Sequence, residues 1–180
     1  MFDGAQYSRE AWFDGAQFSG EAEFGGAQFS RDAKFSGAQF AVASGLGPLV
    51  CAGVVDLSGA VFEAPVTLEI AARRVHCKRT RWESTATVRL RYAMADLGQA
   101  VLPAPVAVTA HPASFTSSLG NTVDESSLAG YRDSVRVTSI QGVDAAHLVL
   151  TDTDLTDCLF SGAFHNWCAV GQLLIPRVVI

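Results

Sequence analysis

The chain has 180 residues, of which 49% are hydrophobic and 17% charged, so it can build one core without requiring a second domain. Its formal net charge of −5 is mildly acidic and does not favour nucleic acid as a partner of the whole surface. No run of about 20 apolar residues is present, so no membrane segment is predicted in this sequence.

The cysteines indicate a reducing compartment. Cys51, Cys77, Cys158 and Cys168 show no CxxC spacing, and no secretory signal opens the chain. We therefore predict reduced thiols and a cytoplasmic protein. A membrane-anchoring segment upstream of this sequence would not be visible in it.

Residues 2–40 contain an internal repeat of aromatic side chains, spaced alternately by five and six residues. The aromatics are Phe2, Tyr7, Phe13, Phe18, Phe24, Phe29, Phe35 and Phe40. An alanine stands two positions before each aromatic that follows Phe2. A small polar pair, such as Ser-Gly or Asp-Gly, recurs between the units.

Extended structure explains this repeat better than a helix does. On a helix, the spacing distributes the aromatics and alanines around the axis and leaves no apolar stripe. Each unit also carries an interior glycine, such as Gly4 or Gly15, which costs a helix about 1 kcal/mol. In an extended segment, the alanine and the aromatic of Ala-x-Phe point to one face, and the small polar pair suits a turn. Each unit is therefore predicted to be a short strand and a corner that buries its inner face by stacking on the next unit.

These residues resemble the pentapeptide repeat family. The resemblance implies an all-β fold, a right-handed quadrilateral β-helix, in which a central aromatic and the small residue two positions earlier point inward. Phe18 with Ala16, Phe29 with Ala27 and Phe40 with Ala38 match those positions. The extra residue in every second unit departs from the family pattern and predicts either a bulged corner or a longer coil.

The rest of the chain is predicted to continue one solenoid domain over 1–165. Its regular part is 1–44, followed by a loop at 45–54 and by twenty-residue coils at 55–114. A weak polar coil, or a surface excursion, occupies 115–134, and coils resume at 135–165. The twenty-residue frame is expected to persist, with Leu148 in the column of Leu68 and Leu150 in the column of Ile70. Residues 166–180 are predicted to be an irregular C-terminal tail.

The predicted core is a ladder of aromatic and leucine side chains at central positions, with small residues between them. Its members are Phe13, Phe18, Phe24, Phe29, Phe35, Phe40, Leu57, Phe62, Cys77, Trp82, Leu97, Leu102, Leu150, Leu155 and Phe160.

Seven of the thirteen lysines and arginines lie between positions 73 and 91. They are Arg73, Arg74, Lys78, Arg79, Arg81, Arg89 and Arg91. One interpretation is an interaction surface for an acidic partner; the other is a solvated outer face whose charges pair across coils, as expected for Glu69 and Arg89. The nearby Trp82 falls in an inward column, so base stacking, and with it nucleic acid, is not favoured.

The sequence shows no constellation for catalysis. It has no Gly-x-Ser-x-Gly elbow, no Walker loop and no dinucleotide fingerprint. Cys158, His165 and Cys168 lack the second close pair that a zinc site requires, so no metal and no cofactor are predicted. We do not expect an enzyme.

Two functions remain open. The first is a rigid, non-catalytic interaction or scaffold module for a protein partner not identified by the sequence. The alternative comes from the resemblance: some members of the family imitate DNA with an acidic surface and modulate a type II topoisomerase, DNA gyrase. Acidic residues in the second half of the chain are the basis for that alternative. No cap over the first unit is visible, which leaves two expectations. Either Phe2 and Tyr7 face a partner, as in end-to-end self-association, or this sequence is a fragment of a longer protein.

Overall fold

The structure, a computed structural model, describes residues 2–42 and 45–164. All strand pairs that form the solenoid are parallel, and successive coils stack directly on one another for about five turns. The predicted all-β solenoid is confirmed. Within the part of the chain that is described, no helix is long and apolar enough to cross a membrane.

The strands of the described residues form three ladders. The strands are β1 (Gln6–Tyr7), β2 (Ala11–Trp12), β3 (Gln17–Phe18), β4 (Gln28–Phe29), β5 (Ala33–Lys34), β6 (Gln39–Phe40), β7 (Gly45–Asp56), β8 (Val61–Phe62), β9 (Val66–His76), β10 (Arg81–Trp82), β11 (Ala86–Arg91), β12 (Met94–Asp96), β13 (Val106–Ala110), β14 (Arg136–Ser139) and β15 (Leu148–Thr151). The first ladder runs β1-β4-β7-β9-β11-β13-β15. The second runs β2-β5-β7-β9-β12-β14, and the third runs β3-β6-β8-β10. Strands β7 and β9 belong to both the first and the second ladder, because each continues from one face to the next.

The corners are hydrogen-bonded turns made by the small polar pairs. In the turn that begins at Phe24, the Ala27 amide donates to the Phe24 carbonyl at 3.0 Å, and Gly26 has a φ of +72°. A positive φ at this position favours glycine, which explains the glycine in each early unit.

Aromatic rings stack from coil to coil in the interior. In the third ladder, ring centroids are 4.8 Å apart for Phe18–Phe40, 4.7 Å for Phe40–Phe62 and 4.5 Å for Phe62–Trp82. The structure places every residue of the predicted core in the main apolar cluster or packed against it. Four of them are only partly buried: Phe13, Phe18, Leu155 and Phe160.

The first coils contain 22 residues, twice the eleven-residue repeat. Gln6 pairs with Gln28, and Gln28 pairs with Val50, so the six-residue steps lengthen the coil. From β9 onward, the coils contain 20 residues, as shown by the pairing of Ala86 with Val66 and Val106.

Strand β7 absorbs this two-residue difference through two irregularities. Against β9, its register shifts between Leu46 and Leu49 and again between Cys51 and Val54, and each shift accommodates one extra residue. Gly47 lies in the first shift with a φ of +115°, where a Cβ atom would lie 2.1 Å from the Glu69 carbonyl oxygen. Only glycine therefore fits there.

The predicted loop at 45–54 is therefore wrong. Gly-Leu-Gly-Pro is turn chemistry in isolation, but proline and glycine are also the residues that occupy bulges. The Pro48 carbonyl accepts a 2.7 Å hydrogen bond from the Gly26 amide, so the bulged segment still stacks on the preceding coil.

The prediction of a weak polar coil over 115–134 is also wrong. This stretch belongs to an insertion, residues 111–134, that leaves the solenoid after β13 and returns before β14. The coil frame shifts accordingly: Val108 pairs with Leu150, which places Leu150, and not Leu148, in the column of Leu68. A surface excursion, the other interpretation of this polar stretch, is what the structure contains. The predicted tail at 166–180 lies outside the described residues.

The interior ladder predicts a large difference between two aromatic positions. Phe35 is fully buried, with ring centroids 4.8 Å from Phe13 and 5.3 Å from Phe24, whereas Trp12 is 65% exposed. Phe35→Ala should lower the free energy of unfolding by about 3–5 kcal/mol, because it leaves a cavity. The control, Trp12→Ala, should cost about 1 kcal/mol or less. Urea denaturation measures both, and equal effects would contradict the assignment of the interior.

Candidate interaction site

The insertion, residues 111–134, forms a flap on the outside of the solenoid. It begins where the His111 amide donates to the Leu90 carbonyl at 2.8 Å, and it ends before Arg136, whose amide donates to the Ala93 carbonyl at 2.9 Å. Between these points lie a small hairpin, in which the Val123 amide donates to the Phe115 carbonyl, and a 3-10 helix at Ser126–Leu128.

The flap covers one outward column of the first ladder. That column consists of Gln28, Val50, Ala71 and Arg91, which pair in register on successive coils. Val50 and Ala71 form a second apolar cluster with three flap side chains, Phe115, Val123 and Leu128. The Gln28 side chain donates to the Asp124 carbonyl at 2.9 Å. An outward face that would otherwise meet water is therefore buried.

Arg91, the last residue of this column, anchors the flap through a buried ion pair. Its Nε lies 3.0 Å from Glu125 Oε2, and the two side chains are 4% and 7% exposed. Its Nη2 lies 3.0 Å from Asp133 Oδ2, and its Nη1 donates to the His111 carbonyl at 3.0 Å. One guanidinium thus joins the beginning, the middle and the end of the flap.

The surroundings of Arg91 favour its charged form. Burial alone lowers the pKa of Arg91, but hydrogen bonds to Tyr92 and Glu125, and the charges of Glu125 and Asp133, raise that pKa above its usual value. The Glu125 carboxylate also accepts from the Tyr92 hydroxyl at 3.1 Å and from the Phe115 amide at 3.4 Å. A buried ion pair needs such additional hydrogen bonds to offset its loss of hydration.

A groove of about 430 Å³ lies where the end of the flap meets the solenoid. On the solenoid side it is lined by Arg73, Arg74, Tyr92, Met94, Arg136 and Asp154. On the flap side it is lined by Tyr131, Arg132 and Ser134. Tyr92 lines the groove, and its hydroxyl donates to Glu125. Tyr92 therefore connects the ion pair of Arg91 and Glu125 to the groove wall.

The floor of the groove is a column of the second ladder. Arg74, Met94, Arg136 and Asp154 pair in register on successive coils. At the wall, the guanidinium of Arg73 lies 4.6 Å from the ring centroid of Tyr131, a cation–π contact that spans solenoid and flap.

Arginine dominates the charge of this groove. Among the described residues that line it, Asp154 alone is acidic, and its Oδ2 accepts from Arg136 Nε at 2.9 Å. Hydrogen bonds from Thr156, followed by the one from Arg136, lower the pKa of Asp154 to about 2, so it stays ionised at neutral pH. Arg74 and Arg132 form no ion pair with any described residue.

The structure separates the seven basic residues that the sequence grouped together. Arg73 and Arg74 line the groove. Three others form ion pairs on the outer surface: Arg89 with Glu69 at 2.9 Å, as expected, Lys78 with Asp96 at 3.2 Å, and Arg81 with Glu83. Arg79 lies exposed at a corner.

Arg91 corrects the prediction of a basic interaction surface, because it is buried beneath the flap and is not available to a partner. The outward position of Arg91 in the sequence pattern is right for the coil, but the pattern does not show that residues 111–134 cover it.

Other groove residues were not predicted at all. Tyr92, Met94, Tyr131, Arg132 and Arg136 had no motif to indicate them. The column of Arg74, Met94 and Arg136 has a 20-residue step followed by a 42-residue step across the insertion, so a fixed twenty-residue frame misplaces Arg136.

The two buried cysteines, Cys51 and Cys77, show no feature of a reactive thiol. Burial raises the pKa of Cys51 to about 11 and that of Cys77 to about 12, which keeps both as thiols at neutral pH. Among residues 2–42 and 45–164, no group of three or more His, Cys, Asp or Glu side chains could hold a metal ion. Of the residues weighed as a zinc site, His165 and Cys168 lie outside the described residues.

The buried ion pair generates a test of the flap. Arg91→Ala leaves Glu125 buried without its counter-ion, so docking of the flap should weaken by about 3–5 kcal/mol. Limited proteolysis followed by mass mapping should then show rapid cleavage within residues 111–134, while far-UV circular dichroism of the solenoid persists. The control is Arg89→Ala, two positions away on the same strand, which removes only the exposed pair with Glu69 and should leave the cleavage rate near that of wild type. Equal protection of the flap in both variants would contradict the anchoring role.

One comparison with known proteins gives a match. The family model described as pentapeptide repeats matches residues 2–44, in nine copies. No curated protein and no solved structure matches the chain. The matched segment comprises the 22-residue coils with the regular aromatic ladder, as the resemblance in the sequence implies. Over residues 2–44 the chain is therefore similar to the pentapeptide repeat family.

Proposed function

We propose that the protein is a rigid, non-catalytic interaction module that docks a protein partner in the groove between the flap and the solenoid. One observation supports this most directly: four arginines, two tyrosines and a methionine converge on one concave surface. Concave surfaces with a few convergent polar groups are where proteins usually bind ligands.

The solenoid supplies the rigidity that such a module needs. Each coil is fixed to the next by parallel strand pairs, and the interior rings stack at 4.5–4.8 Å along the third ladder. A preformed groove loses little conformational entropy on binding, which favours affinity.

The alternative of a DNA-mimicking modulator of DNA gyrase receives no support from the charge arrangement. The acidic residues on which it rests are Asp124, Glu125, Asp133, Asp144, Asp152, Asp154 and Asp157. Glu125, Asp133 and Asp154 form ion pairs with arginines, so much of their charge is neutralised. We also propose the cytoplasm as the compartment, in keeping with the two buried thiols Cys51 and Cys77. End-to-end association stays a prediction.

Capture from extracts of cells that naturally make the protein tests the proposal. The tagged full chain is compared with a groove variant, R73A/R74A/R132A, and with a matched control, R9A/R31A/R79A, which removes three exposed arginines outside the groove. We expect a partner that the wild type and the control retain and that the groove variant loses by about tenfold or more. Circular dichroism verifies that both triple variants are folded.

Two results would overturn the proposal. One is a set of captured proteins that does not differ between the groove variant and its control. The other is inhibition of gyrase supercoiling by micromolar wild-type protein that persists in the groove variant, which would restore DNA mimicry as the function.

A further inference from the structure

We propose that the groove binds an acidic peptide segment of the partner, with an apolar side chain on Met94 and carboxylates on the arginines that flank it. This inference rests on the proposed function and adds the chemistry of the partner. The observations that carry it are the order of the residues along the groove floor, the cations that lack a counter-ion, and the size of the groove.

The groove floor alternates charge and apolar surface at the spacing of the coils. Arg74, Met94 and Arg136 occupy the same column on three successive coils. Neighbouring strands are about 4.8 Å apart, so the two arginines start about 10 Å apart with the methionine midway. Met94 is 43% exposed, because it points outward between Ala93 and Ala95, which point inward and are buried. The flexible thioether of Met94 can contact an apolar side chain of a bound peptide, while Arg74 and Arg136 contact acidic residues on either side of that side chain.

Among the described residues, three of the four groove arginines, Arg73, Arg74 and Arg132, have no carboxylate partner. Arg91, Arg89 and Arg81 each have one. Arg73 is held against Tyr131 by the cation–π contact, which orients its guanidinium toward the groove edge. A planar guanidinium binds a carboxylate through two parallel hydrogen bonds, so these side chains favour acids over neutral groups.

A peptide fits this groove better than nucleic acid does. A volume of about 430 Å³ admits a few side chains rather than a duplex. The Tyr131 ring already carries Arg73, and the Tyr92 hydroxyl is bound to Glu125, so neither ring is a free platform for a base. The chain has a net charge of −5, which repels a polyanion over the remaining surface.

Asp154 acts as an internal competitor for the ligand. Its carboxylate pairs with Arg136 at 2.8 Å, in the position where a partner's carboxylate would bind. Asp154→Asn removes the negative charge but keeps an oxygen that can accept from the Thr156 amide, as Asp154 Oδ1 does at 2.8 Å. The variant should therefore release Arg136 without disturbing the turn, and it should bind an acidic peptide more tightly than wild type does.

Fluorescence anisotropy with defined peptides tests the inference on the full chain. The probe is fluorescein-labelled Gly-Glu-Glu-Leu-Glu-Glu-Gly, and the matched probe replaces each Glu by Gln. We expect the acidic probe alone to bind, with affinity about tenfold or more weaker in R74A/R132A, near wild type in R9A/R79A, and severalfold tighter in D154N. A gain of affinity in D154N is a result that a merely destabilised groove would not produce.

The outcomes separate this inference from the proposed function. Equal binding of both probes, or no effect of R74A/R132A, overturns the acidic-peptide inference. Tighter, groove-dependent binding of single-stranded oligonucleotide than of the acidic probe also overturns it, in favour of nucleic acid. If no acidic probe binds but the captured partner is still lost from R73A/R74A/R132A, the inference fails while the proposed function stands.

Discussion

The structure depends on one geometric constraint: each coil must have strands in register with the coil before it. Parallel pairing and ring stacking both require this, because a slip of one residue turns every inward side chain outward. The 22-residue coils at the start and the 20-residue coils that follow would fall out of register at their junction. Strand β7 resolves the conflict by accommodating one extra residue near Gly47 and another near Gly53. The flap satisfies the same constraint in a different way. All its residues are inserted between β13 and β14, and these two strands still pair with β11 and β12 of the preceding coils.

The flap buries side chains that point outward from the solenoid. Val50, Ala71 and Arg91 point away from the solenoid but become interior because the flap lies over them. Arg91 is the clearest case, since an outward arginine becomes a buried cation that requires Glu125. The edge of the flap in turn creates the groove, whose floor comes from the solenoid and whose wall comes from residues near Tyr131. The groove thus depends on the docked flap, and the flap depends on the ion pair that anchors it to the solenoid. Only the groove is proposed to bind a partner.

Much of the fold could be predicted from the sequence, and the reason is repetition. One unit of Ala-x-Phe followed by a small polar pair is weak evidence, but seven in succession specify inward positions, corners and stacking. The bulges in β7 could not be predicted, because Gly47-Pro48 has the local chemistry of a loop and only the mismatch between coil lengths makes it a strand. The groove could not be predicted for a similar reason. That Arg136 lies beside Met94 can be inferred only when the length of the insertion between them is known. Local patterns identify repeated structure, whereas the site arises where the repetition is interrupted.

Native-state hydrogen exchange tests most directly whether the flap is docked separately on a stable solenoid. In the full chain at low urea concentrations, amides of β7, β9, β11 and β13 should exchange only through global or multi-coil unfolding. Amides of residues 111–134 should exchange together through a local opening of the flap. The free energy of this opening should be several kcal/mol lower than that of unfolding the coils. Exchange of the flap at the same free energy as the coils would contradict separate docking, and rapid exchange of the coil amides would contradict the solenoid itself.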